Sequence, residues 1–279
     1  MKKLIITGKM LTANFRDYIN PEKNNVDHGL NKKKKICSLI LASAGLFLSS
    51  CSHYYYVPDV HNVPLFKEKN EFRISGTYGE GRETKCIEIQ TAYSVTDKIG
   101  IMSDFMSAQG GNINSHDYGK GNYFDGAIGY YKPVGRFGVF EIYGGLGRSG
   151  QHHEYGNSYY NQSTGYANLS FTKLFVQPSI GLISYPLDIA LSARISRITF
   201  DNIENHISSD IDSYNELRAL SDKSHLFIEP GITIRGGWKS VKVQVQAVYS
   251  WYLNNPKLYI GEDYHISLGL YCTLGKKPR

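Results

Sequence analysis

The chain reads as all-β: a closed antiparallel up-and-down β-barrel of about ten strands, with short turns alternating with long loops. Three observations predict this. Apolar and polar residues alternate with period two through most of residues 71–274, as strands with one apolar and one polar face require. The alternating segments run to roughly ten residues, enough for a tilted barrel strand. The connections between them are tight and long by turns. With 28 glycines, 22 tyrosines and only 20% charged residues, the composition excludes both disorder and a helical bundle.

Ten strands are expected near 71–78, 86–95, 99–108, 122–131, 137–148, 168–184, 187–200, 225–236, 241–251 and 263–274. The alternation is plainest late in the chain. Val241, Val243, Val245, Ala247 and Tyr249 interleave with Lys242, Gln244, Gln246 and Ser250. Ile189, Leu191, Ala193 and Ile195 interleave with Asp188, Ser192, Arg194 and Ser196. Tight turns fall at 96–98, 132–136, 185–186 and 237–240, and long polar loops at 79–85, 109–121, 149–167, 201–224 and 252–262. Pro178 and Pro230 sit inside strands, where proline removes a ladder donor, so bulges or edge-like kinks are expected at both.

The polar partners of each alternation make one set: Arg73, Glu88, Asp104, Asp125, Glu141, Lys173, Arg194, Glu229, Arg235 and Lys242, with Gln90, Gln177, Gln244, Gln246 and His265. Facing a narrow lumen, these five acids and five bases are expected to pair and fill it, since buried charges need partners. The apolar set would then face lipid, with Tyr78, Tyr93, Tyr130, Tyr185, Trp238, Tyr249, Trp251 and Tyr264 as interfacial aromatics. The inverse barrel, with Val241, Val243 and Ile266 inside and the charges in water, has the same period.

Charge is concentrated at the N-terminus. Residues 1–51 hold nine of the 31 basic side chains and three of the 25 acids, leaving 22 against 22 thereafter. The basic balance therefore belongs to a leader, and a nucleic-acid partner is not expected. Lys32–Lys35 precede the apolar stretch 36–48, the layout of a secretory signal too short to span a bilayer. Residues 1–31 do not fit that signal and read as a start codon assigned too early or as a disordered extension. Residues 52–70, with Pro58 and Pro64, read as an extended tether.

Leu48-Ser49-Ser50-Cys51 resembles a bacterial lipobox, whose cysteine is diacylated and becomes the new N-terminus. Each methylene buried in a membrane adds about 0.8 kcal/mol, so two or three chains anchor firmly. From residue 32 onward the chain resembles the small outer-membrane β-barrel lipoproteins of Gram-negative bacteria. The stretches that carry this are Leu48–Cys51, Asn62–Phe66, Glu88–Gly100, Gln177–Gly181 and Tyr264–Leu270. The resemblance implies a signal peptide at 32–50, a lipidated tether at 51–70 and a barrel at 71–279. It also implies an outer-membrane location. Ten strands starting before a long loop put both chain ends on the short-turn side, so a lipid on Cys51 is expected to enter the periplasmic leaflet. The chain departs from many such barrels in ending Tyr271-Cys272-Thr273-Leu274-Gly275-Lys276-Lys277-Pro278-Arg279 rather than on an aromatic.

Little chemistry is legible. His152-His153-Glu154 is the only close ligand-like cluster and reads as a solvated loop. Asp117, His116, His152 and Asp210 are rim candidates of the kind outer-membrane proteases use, without the spacing of a site. Cys86 and Cys272 fall on opposite faces of the wall, so no disulfide is expected between them. The expectation is a non-enzyme with a structural or surface-interaction role and no cofactor beyond the lipid on Cys51. Its partners would be outer-membrane lipid and a protein or ligand at the long loops. The alternative is a lipid-tethered soluble barrel holding a small lipophilic ligand.

Overall fold

The computed structural model describes residues 53–157, 162–208, 212–221, 224–254 and 260–275. The N-terminal extension, the signal sequence, Cys51 and Asp210 lie outside the described residues. The strands are β1 (Phe72–Glu80), β2 (Thr84–Ser94), β3 (Ile99–Asn112), β4 (Asp117–Val134), β5 (Gly138–Asn157), β6 (Gln162–Ser184), β7 (Leu187–Ile207), β8 (His225–Gly237), β9 (Val241–Tyr249), β10 (Trp251–Tyr252) and β11 (Tyr264–Leu274). Neighbours from β1 to β9 pair antiparallel in sequence order, β9 pairs with β11, and β11 returns to β1. Ten strands thus close a barrel. β10 stands outside the ring, continuing the line of β9 along β8.

Side-chain direction settles which face is inside. Leu174, Val176, Ile180 and Leu182 on β6, Leu187, Ile189, Leu191 and Ile195 on β7, and Ile266, Leu268 and Leu270 on β11 are all exposed on the outer wall. Val243 is 50% and Ile266 52% exposed, whereas Arg194, Lys173 and Glu141 are completely buried. The inverted barrel with an apolar interior is thereby excluded. On β6 the apolar stretch runs from Leu174 to Leu182 and gives way outward to Thr172, Ser170 and Asn168. Nine residues make roughly 26 Å of strand. On β7 the same change comes after Ile195, at Arg197 and Thr199.

Two sequence expectations are corrected here. The first concerns a bulge at the prolines: register carries straight through both. β6 and β7 pair Val176 with Ile195 and Ser179 with Ser192, so the ladder skips Gln177 and Pro178 without slipping. Pro230 pairs with Ala193 of β7 and lies where the other edge of β8 passes from β10 to β9, an edge-like position of the kind expected for it. The register shifts lie elsewhere, at Ser170/Phe171 and Tyr155/Gly156.

The second concerns the long loops. Much of 109–121, 149–167 and 201–224 is strand, because β4 to β7 continue their ladders well past the apolar belt into a tall wall. At the top of that wall, helix α1 (Asp212–Ser221) folds inward. Leu217 and Leu220, three apart on one helix face, are completely buried there against Tyr155, Leu169, Phe200 and their neighbours.

The interior is therefore layered. Aromatic and aliphatic residues close the long-loop end, with Tyr55, Tyr56, Tyr123, Phe171 and Phe227 among them. Phe66, Tyr131, Tyr143 and Phe175, with Val63, Leu65 and Val139, close the short-turn end. The polar set lies between.

Candidate functional site

Residues 53–66 are not an external tether. They climb the lumen from the short-turn end to the long-loop mouth. The segment suits this path because Pro58 and Pro64 hold it extended, leaving its peptide groups free of local partners. Buried peptide groups must still be hydrogen-bonded, and the inward-facing wall residues supply the bonds.

The Pro64 carbonyl accepts from Tyr271 Oη at 2.9 Å and Arg73 Nε at 3.3 Å. One level up, Gln177 donates to the Asn62 carbonyl at 2.7 Å, Gln246 to that of His61 at 2.7 Å and Gln90 to that of Val60 at 2.9 Å. His265 Nδ1 lies 2.6 Å from the Pro58 carbonyl. In the other direction, the Phe66 N–H donates to Glu141 at 3.0 Å and the Val60 N–H to Glu88 at 3.3 Å. The segment's side chains are met as well: Asn62 Nδ2 donates to Asp104 at 2.6 Å, and Tyr56 Oη to Glu229 at 2.6 Å.

Close approach needs small wall residues. A Cβ on Gly181 would stand 2.6 Å from Leu65 Cδ2, and one on Gly231 2.9 Å from His61 Nδ1. Leu65 itself takes a left-handed backbone (φ 54°), a conformation costing on the order of 1 kcal/mol that the surrounding contacts must hold.

All ten residues of the expected charge network are buried and inward, but their pairing is not the expected one. Among the described residues, none of the ten forms an ion pair with another of the ten. Lys173 and Arg194 converge instead on Asp59 of the threaded segment, each at 2.5 Å. Lys242 pairs with Asp188 at 2.6 Å and Arg73 with Glu71 at 2.8 Å. Arg235 donates to Gln244 at 2.6 Å and stacks over Tyr271. Asp125 accepts from Tyr123. The reason is geometric: residues fixed on the wall point toward the axis, and a chain running along that axis reaches them before they reach one another.

At the mouth, the segment's backbone joins the wall. Tyr56 forms a parallel bridge with Gly261, and the Tyr55 and Tyr56 N–H groups both donate to the Ile260 carbonyl. Glu262 accepts from the Glu83 and Thr84 N–H groups at 2.9 and 3.0 Å, clasping the β1–β2 hairpin to the same connection. Burial pushes the Glu262 carboxyl above its ordinary range, and these hydrogen bonds only partly offset the rise. Gly81 makes the room, since its Cβ would overlap that carboxylate.

His53 ends the described segment, 2.8 Å from Asp117 and 3.4 Å from His153. The solvated-loop reading of 152–154 is corrected: these residues belong to β5, with His153 buried inward, His152 bonded to Asn168 and Glu154 to His116. The rim candidates thus split, Asp117 meeting His53 while His116 and His152 face other partners. One cluster was invisible in the sequence. Cys86, Glu88 and His265 meet inside the wall although 179 positions separate Cys86 from His265. Cys272 lies at the other end of the barrel from Cys86, opposite Ile74 of β1 where Cys86 is opposite Gly79.

No family model and no curated protein matches the chain. Among solved structures, the outer membrane protease OmpT of Escherichia coli is similar over 75% of this chain and 98% of its own, with 11% identity and a TM-score of 0.42. The translocator domain of the autotransporter NalP of Neisseria meningitidis covers 90% of this chain and 97% of its own, with 10% identity and a TM-score of 0.41. The KdgM porin gives 73%, 99%, 10% and 0.36. The barrel assignment itself rests on the strand pairing.

Proposed function

We propose that the chain is an outer-membrane lipoprotein whose barrel is sealed by its own N-terminal segment and carries that segment to the cell surface. The observation that carries this is the match between wall and segment. Inward side chains from β1, β2, β6, β9 and β11 hydrogen-bond the backbone of 58–66, inside a barrel whose outer wall is an apolar belt. A water-soluble barrel would have no use for so much exposed Leu, Ile and Val, and a lipid-facing one requires it.

Short turns face the periplasm in such barrels and long strands and loops face outward. β1 begins at the short-turn end, so a closed wall leaves the lumen as the only route from Phe72 to the opposite mouth. Cys51 is two residues from His53, within about 7 Å of it along the chain. A diacylated Cys51 would therefore insert from the outside, in the outer leaflet, rather than in the periplasmic leaflet that an external tether would reach. The role that fits is structural and surface-interactive. The barrel is closed to solutes, and the rim built from β4 to β7 and α1 is offered to a partner.

Replacing residues 1–51 with the signal peptide of a non-lipidated secreted protein tests the membrane claim. The expected result is a chain that still fractionates with the outer membrane and migrates differently before and after boiling. A soluble periplasmic product would overturn it.

A further inference from the structure

We propose that Cys86, Glu88 and His265 form a binding site for a single thiophilic divalent metal ion of the zinc class, completed only when residues 53–66 are threaded. Cys86 and Glu88 are two apart on β2 and share its inner face. His265 comes from β11, on the far side of β1, and two such strands do not normally touch. They do so here because β1 carries Gly79 between them: a Cβ at that position would lie 2.0 Å from His265 Nε2. All three side chains are buried, one ligand atom from each lies within 4.8 Å of the others, and Glu88 Oε1 is 3.5 Å from the His265 ring at Nδ1.

The spacing suits coordination. Cys86 Sγ is 3.1 Å from His265 Nε2 and 3.6 Å from Glu88 Oε1. A tetrahedral zinc with bonds of about 2.3 Å to sulfur and about 2.0 Å to nitrogen or oxygen holds such atoms roughly 3.5 Å apart. The imidazole is also oriented for it. With Nδ1 donating to the Pro58 carbonyl at 2.6 Å, Nε2 carries the lone pair and faces the thiol. A backbone carbonyl on the remote nitrogen is the usual outer support of a metal-ligating histidine. Here that carbonyl belongs to the threaded segment, so the ion would latch the segment in place. Binding displaces the Cys86 proton to solvent and forms the metal–thiolate bond, with no change of oxidation state.

The test uses the chain from residue 51 onward, refolded into detergent micelles with cobalt(II) alone as the probe. One cobalt per barrel is expected, with a thiolate-to-cobalt charge-transfer band that zinc abolishes and that Cys86→Ser lacks. Glu88→Gln is expected to weaken retention at least tenfold while keeping the boiled-versus-unboiled mobility shift. Should Cys86→Ser fail to fold, the unaltered protein still decides: zinc must raise its melting temperature and a chelator must reverse the rise. Cobalt held without a thiolate band, or equally by Cys86→Ser, would assign the metal to rim imidazoles and overturn the site. So would a melting temperature indifferent to zinc.

Discussion

Asp59→Asn removes one negative charge from the centre of the lumen and keeps the side chain's size. In the native barrel that carboxylate meets Lys173 Nζ and Arg194 Nη1, both on side chains with no solvent exposure. Stripping the partner from a buried ion pair costs about 3–5 kcal/mol, because the remaining charge has neither water nor a counterion. Here two cations lose a shared partner, but Asp125 and Glu229 also act on Arg194. That sets the expectation at the lower end, about 3 kcal/mol, or roughly a hundredfold in equilibrium. The wall keeps its ladders, so the segment should give way before the barrel. Hydrogen exchange reads this directly at the Val60 and Phe66 amides, which are bonded to Glu88 and Glu141. Exchange there should accelerate about a hundredfold while amides of the β5–β6 ladder stay protected, and adding Lys173→Met should restore part of the loss. Unchanged protection at Val60 and Phe66 would refute Asp59 as the ionic anchor.

Three further outcomes follow from the same geometry. Val245→Arg, on the outer face at the centre of β9, should cost about 2–4 kcal/mol in folding into bilayers, read as a lowered urea midpoint; a neutral result would argue against a lipid-facing belt. Leu217→Ala should destabilise by about 2–5 kcal/mol locally, seen as faster proteolysis across α1 with the barrel's mobility shift intact. If the whole barrel melts instead, the helix is not a separable cap. Gly181→Val should clash with Leu65 and raise ion conductance in planar bilayers by loosening the segment, and a silent variant would show that the close approach at Gly181 is dispensable.

The barrel was legible because period two survives any lumen content. Val241 to Tyr249 alternate the same way whether the interior holds charges, water or another chain. The set of residues sharing one face was legible for the same reason, down to Gln90, Gln177 and Gln246, but the period alone did not show that this face is the inner one. Their partners were not. A glutamine that caps a backbone carbonyl looks the same in sequence as one that fills space, and Asp59 sits in a proline-flanked stretch with no period to mark it as interior. Inward aromatics such as Phe171, Phe175 and Tyr143 were missed because they break the polar half of the alternation. The tall wall was missed because Gly, Asn and Tyr, read as loop formers, are also acceptable in strands that stand in water. Cys86 and His265 meet only through strand order and a glycine in β1, which no local pattern reveals. A signal was available for the segment itself: Asp59, His61 and Asn62 offer polar groups at close spacing to a wall with an excess of inward donors and acceptors.

The claim on which the account turns is that the N-terminal segment threads the lumen to the outer mouth. Single cysteines at His53, at Asn114 in the β3–β4 turn and at Lys98 in the β2–β3 turn, each in a Cys272→Ser background, test it with a membrane-impermeant maleimide on intact cells. The account predicts that positions 53 and 114 label from outside and that position 98 labels only after the outer membrane is permeabilised. Labelling of position 53 in step with position 98 would place the segment in the periplasm and contradict it.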